Sequence, residues 1–125
     1  MHGVCPSGWH VPDYNEFSDL QNYLVKDGHY SSQGAALKTT TGWGVDDNGN
    51  DDYGFAALPT GGRSADRGGI FGSLGVNGHW WTSSEETLWN AWYIDISGDN
   101  LSFMSSIGGH EINKVFGFAV RCIRD

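Results

Sequence analysis

Between Asp46 and Asp52 the chain reads DDNGNDD, which gathers Asp46, Asp47, Asn48, Asn50, Asp51 and Asp52 in one short stretch. Carboxylate and amide oxygens are the hard donors that Ca2+ selects. The spacing fails the EF-hand pattern, because Asp51 stands where that loop needs glycine and Ala57 where it needs a bidentate glutamate. A polar Asn-Gly turn whose side chains bond their own backbone is therefore expected. No cofactor is assigned, and these six residues remain weak candidates for a structural Ca2+. In GGRSADRGG, Arg63 and Arg67 sit in a glycine-rich segment where a guanidinium could grip a carboxylate. The simpler expectation is that Arg63 pairs with a neighbouring acid and pins the loop.

Other chemistry is sparse. Glu85 and Glu86 are adjacent, and neighbours in a strand point to opposite faces, so they are not expected to share a site. Ser83 and Ser84 fit loop or helix-capping roles. The histidines, His2, His10, His29, His79 and His110, are dispersed. No Gly-x-Ser-x-Gly elbow, His-Glu-x-x-His pair or phosphate-binding glycine loop occurs. The expectation is a protein without catalytic residues. Cys5 and Cys122 lie near the two ends; they either form a disulfide, given an oxidising compartment, or stay as buried thiols.

The strongest binding signal is WNAWYIDIS, residues 89–97. Trp92, Ile94 and Ile96 alternate onto one side of an extended chain, which predicts a core face. Tyr93, Asp95 and Ser97 fall on the other side; Asn90 and, at the strand's entrance, Trp89 join them as candidates for contact with a partner. Exposed Trp and Tyr supply large, stiff contact area at binding surfaces. With Asp99 and Phe103 nearby, these residues make up the expected ligand-binding patch; a half-buried Tyr93 is the alternative. Trp80 or Trp81 is expected in the core.

The elements that position this stretch follow from composition and pattern. A chain of 125 residues is long enough for one core-bearing domain. Nineteen glycines point to many turns, and six tryptophans must supply much of the core volume. A net charge of −8 argues against nucleic acid and anionic membranes as partners, and no apolar run approaches the ~20 residues of a membrane span. The opening MHGVCPSG lacks the apolar stretch of a signal peptide, so either the chain derives from a larger exported protein or it needs no signal.

Asp13 and Glu16 form a capping-box pair ahead of Phe17, Leu20, Tyr23 and Leu24, and Gly28 stops that helix. A shorter helix is expected over SQGAALKTT, capped by Ser31 or Ser32 and anchored by Leu37. From Gly42 to Gly78 the pattern is loop, ordered by packing of Phe55, Leu58, Ile70, Phe71 and Leu74. HWWTSS, AWYIDIS, NLSFMS and GFAVRCIR read as strands, with SGDN as a hairpin turn. In the last strand Phe118, Val120 and Cys122 share a face opposite Ala119, Arg121 and Ile123. The predicted class is α+β: two helices, a long ordered loop, a C-terminal antiparallel sheet, and adjacent termini.

Four segments in order resemble a known family. CPSGWHVPDYNEF is similar to the opening of the Fibrobacter succinogenes major paralogous domain, DDYGFAALPTGGR to its middle motif, HWWTSSEE to its Trp-Ser-Ser-Glu element and GFAVRCIRD to its close. The resemblance implies a C-type-lectin-like fold of the formylglycine-generating-enzyme branch, at the exposed end of surface or secreted proteins. It also places Cys5 and Cys122 at the family's structural cysteine pair, so the branch's cysteine chemistry is not carried over. The closing half resembles the variable proteins of diversity-generating retroelements, with Ala91, Trp92, Ile94 and Ile96 as fixed positions and Asn90, Tyr93, Asp95 and Ser97 as free ones. Calcium-dependent sugar binding is not implied, because Pro59 lies between Leu58 and Thr60 and Ala91 replaces the acid of the Trp-Asn-Asp triplet. The function expected is recognition of a protein or, second, a glycan ligand. The alternative is an assembly module of a surface fibre, pilus or phage tail. Location follows as extracellular or cell-surface, or else the phage particle.

Overall fold

The computed structural model describes residues 3–64, 68–97 and 111–125. Helix α1, Tyr14–Lys26, begins with the expected capping box: Glu16 N–H donates to Asp13 Oδ1 (2.8 Å), and Asp13 N–H donates to Glu16 Oε2 (2.9 Å). Ser84 Oγ accepts a further N-terminal N–H, that of Tyr14, at 2.9 Å. That bond ties the helix start to the sheet and gives Ser84 the capping role its sequence suggested. Phe17 and Leu24 are buried and Leu20 packs beside them, whereas Tyr23 is exposed.

Helix α2, Gln33–Leu37, starts at Ser32, but the Ser32 hydroxyl meets His29 Nδ1 (3.1 Å) instead of capping a backbone N–H. The acidic turn lies on this helix. Asn50 N–H donates to Ala35 O (2.8 Å) and Asp52 N–H to Ala36 O (2.9 Å). Gly49 makes the approach feasible, since a Cβ there would overlap the Lys38 carbonyl and stand 2.6 Å from Ala35 O.

Among the described residues the strands form three small antiparallel sheets. β1 (Trp9–His10) pairs with β7 (Ile123–Arg124), β2 (Gly62–Arg63) with β3 (Phe71–Gly72), and β4 (Asn77–Glu85), β5 (Asn90–Ser97) and β6 (Glu111–Asn113) lie in that order. The first pair places the termini side by side, and a Cys5–Cys122 disulfide joins them with Cα atoms 5.8 Å apart. His10 sits between Glu16 (2.9 Å) and Asp125 (2.6 Å), linking the same ends to α1.

In the β4–β5 register Trp80 faces Ile94, Trp81 faces Tyr93, and His79 faces Asp95. Trp80, Ile94 and Ile96 pack with Phe17, Leu24, Leu37, Trp43 and Ala57 as the core. Trp92, on the same face, is half-buried against the Tyr14 ring at 5.2 Å. The core face predicted for residues 92, 94 and 96 is therefore present, with Trp92 at its margin. Both Trp80 and Trp81 are buried.

Two expectations change. Of the five apolar loop residues expected to pack down, only Phe55 does; Leu58, Ile70, Phe71 and Leu74 are exposed. The loop is pinned by its backbone: Gly61 N–H donates to Asn77 O (2.7 Å) and Gly75 N–H to Pro59 O (3.0 Å). The predicted last strand is also shorter. Residues 117–119 instead run as single bridges, Gly117 to Arg63 and Ala119 to Trp80. NLSFMS and residues 98–100 of the SGDN turn lie outside the described residues.

Candidate functional site

Among the described residues, the predicted binding residues do not form one surface. Trp89 is 73% exposed beside Leu88 in the β4–β5 connection. Asn90 opens β5 opposite Asn113, and Ser97 closes its pairing opposite Asn77. Tyr93 is half-buried, with its ring centroid 5.0 Å from that of Phe118 and 6.5 Å from that of Trp81. Asp95, expected at the surface, is only 9% exposed. Asp99 and Phe103 lie outside the described residues, as does Arg67.

The reason is the returning chain. Phe118 lies against the face that alternation left for solvent, 4.8 Å from the rings of both His79 and Trp81. Phe116 follows at 6.1 Å from Phe118. The sheet is thus covered on two sides, by the helical core on one and by this aromatic layer on the other. Period-two alternation marks two faces but does not say how many of them another segment covers.

Beside that layer lies an open groove of about 460 Å3, inside the range typical of ligand pockets. Its walls include His79, Tyr93, Phe116 and Phe118 from the sheet side, and Arg63 and Phe71 from the β2–β3 hairpin. Two of these come from a hairpin within the stretch whose composition predicts loop. The available signal was glycine. Gly62 sits where a Cβ would come 2.8 Å from the Phe118 ring, and Gly117 where one would come 3.1 Å from Arg63 Cβ. Trp89 is not among the lining residues.

Under the groove, His79 Nδ1 and Asp95 Oδ1 are 3.3 Å apart, and neither atom has a hydrogen-bond partner. Burial depresses the His79 pKa, and the Asp95 charge only partly opposes this. Burial and then the same charge raise that of Tyr93. A histidine held below its ordinary 6.5 contributes stability that is complete above that value and is lost as pH falls through the folded pKa. The gap in melting temperature between wild type and His79→Gln should therefore narrow as pH falls from about 7 to about 5. A gap that widens instead would mean that His79 is charged in the fold.

The other sequence candidates each turn to a different neighbour. Asp47 Oδ1 stands 3.8 Å from Lys38 Nζ, Asn48 Oδ1 accepts the Trp43 N–H, and Asp51 Oδ1 accepts the Ala56 N–H. Asp52 approaches His29 at 3.9 Å. The turn's oxygens point to different partners, and among the described residues no three His, Cys, Asp or Glu converge as a metal would require. Glu85 pairs with Lys114 at 2.7 Å, a bond that lowers its pKa. Arg63, expected to pin the loop through an acid, has no carboxylate within ion-pair distance among the described residues. Its guanidinium lies over Gly69, with Cζ 2.8 Å from where a Cβ would stand.

The model of the Fibrobacter succinogenes major domain matches residues 1–124. The chain belongs to that family. No curated protein and no solved structure matches it. In this Fibrobacter succinogenes major domain, the family match therefore runs across both the terminal disulfide and the groove. Among the described residues no helix is long and apolar enough to cross a membrane.

Proposed function

We propose that this domain is a non-enzymatic recognition module that takes its ligand in the groove between the β2–β3 hairpin and the aromatic face of β4–β5. The observation that carries this reading is the exposed apolar and aromatic lining: Phe71, 79% exposed, faces an aromatic wall with Arg63 at the rim. Aromatic anchors with few polar groups are what binding surfaces concentrate. A C-type-lectin-like fold is consistent with the tied termini, two helices and long backbone-pinned loop. The disulfide fits an oxidising, extracellular or cell-surface setting. A protein ligand ranks ahead of a glycan. Variation of the kind seen in diversity-generating retroelement proteins would act on Tyr93 at the groove and on Asn90 and Ser97 along the same strand.

Screening the folded chain against immobilised peptides and glycans should yield a ligand whose binding Phe71→Ala reduces at least tenfold. The melting temperature should be unchanged, since Phe71 is exposed. Trp89→Ala should leave that binding intact. The reverse pattern, with Trp89→Ala abolishing binding and Phe71→Ala silent, would move the binding face to the β4–β5 connection. One observation favours the assembly alternative: Leu88 and Trp89 are adjacent, apolar and exposed, as a face packing on a neighbouring domain would be. Light scattering that shows a stable oligomer lost in Trp89→Ala would support it.

A further inference from the structure

Resting on the groove reading, we propose that the groove selects a ligand with an apolar body and one carboxylate, which Arg63 grips. Three features point to this chemistry. Arg63 is the cation among the described lining residues, in a chain whose net charge is −8. Among the described residues no carboxylate neutralises it, so none of them occupies its fork of donors. Its place is also built: the glycine at 69, at φ 78°, leaves the space a side chain would fill, and Arg63 Cβ packs on the glycine at 117.

The rest of the lining defines the body of the ligand. Ile70, Phe71, Tyr93, Phe116 and Phe118 present rings and an aliphatic side chain. Asp95, the carboxylate beneath the groove, is buried behind His79 and is not part of the lining, so it does not compete for Arg63. Guanidinium and carboxylate match as two parallel hydrogen bonds, and a planar ring or branched aliphatic group fills the apolar wall. A free apolar acid and the C-terminal residue of a polypeptide share this chemistry.

The test titrates the folded chain with N-acetyl-L-phenylalanine and with its amide, and with a peptide ending in phenylalanine as free acid or as amide. The free acids should bind at least about tenfold more tightly than the amides, as a charge-assisted hydrogen bond implies. Arg63→Gln should erase that preference without changing the melting temperature, and Arg63→Lys should retain part of it. A peptide acid that binds more tightly than N-acetyl-L-phenylalanine identifies a polypeptide terminus as the source; equal affinities identify the small acid. Equal binding of acid and amide, or a preference that survives Arg63→Gln, overturns the proposal. Arg63-dependent binding of glucuronate without binding of either phenylalanine acid also overturns it, by removing the apolar body. If acid and amide bind alike but Phe71→Ala weakens both, the carboxylate preference fails while the groove stands. If Phe71→Ala changes no binding, the groove fails as well.

Discussion

Cys122→Ser should destabilise the domain by about 2–5 kcal/mol, read as a fall in the denaturation midpoint with the oxidised wild type as reference. The Cys5–Cys122 bond spans a sequence separation of 117, and in the chain-entropy account a closed loop of that order is worth roughly 4–5 kcal/mol. Little else holds the ends. β1 and β7 pair over two residues each, and the His10 contacts with Glu16 and Asp125 lie at the surface, where solvent screens ion pairs and leaves them weak. His10 is held above its ordinary pKa, chiefly by its hydrogen bond to Glu16 and then by that to Asp125. That contribution is present below the ordinary value and fades as pH rises through the raised one. Hydrogen exchange should show Trp9 and Ile123 losing protection before Ile94 and Ile96. A loss of less than about 1 kcal/mol, with protection at the termini intact, would show that the short strand pair suffices.

Lys38→Met should leave stability unchanged or raise it, while Lys38→Ala should cost about 2–5 kcal/mol. Lys38 has no exposed surface, and its Nζ has no hydrogen-bond partner. The ammonium lies 4.8 Å from the Trp43 ring centroid and 3.8 Å from Asp47. Neither contact replaces three lost water bonds, and burial depresses the lysine pKa, with Asp47 opposing. Methionine keeps the packed stem and removes the charge; alanine removes the packing and opens a cavity. A lysine whose folded pKa lies below its ordinary 10.5 carries its penalty when both states are protonated and sheds it as pH rises through that range. The methionine advantage should accordingly shrink between about pH 7 and about pH 10.5 in urea titrations. A methionine variant weaker by several kcal/mol at neutral pH would mean that the Lys38–Asp47 pair stabilises the fold on balance.

These two sites differ in how legible they were. The cysteines stood near the chain ends, so a bond between them was one of two open readings, and only the apposition of β1 and β7 decides it. Lys38 gave no signal, because a lone lysine after a short helix reads as a solvated residue until the acidic turn closes over it. The acidic turn itself was legible as an Asn-Gly turn. Asn48 and Asp51 accept N–H groups only five residues away, whereas the approaches of Asp47 to Lys38 and of Asp52 to His29 depend on how the turn folds back on the earlier chain.

The local rules performed well where a residue's partners lie within a few positions. The Asp13–Glu16 box, the 92–94–96 face and the long β4–β5 stretch are decided by rotation per residue and by capping chemistry, both written in adjacent side chains. The sequence by itself thus determined the α+β class, the start of α1 and the inward face of β5. Tertiary structure alone decided which residues meet the solvent on the other face. Phe118, with Phe116 beside it, returns from the far end of the chain to pack on His79, Trp81 and Tyr93, while backbone pairing around Gly61 and Gly75 accompanies the outward exposure of Ile70, Phe71 and Leu74. Burial is set by contacts between segments far apart in sequence, and no period within either segment encodes them.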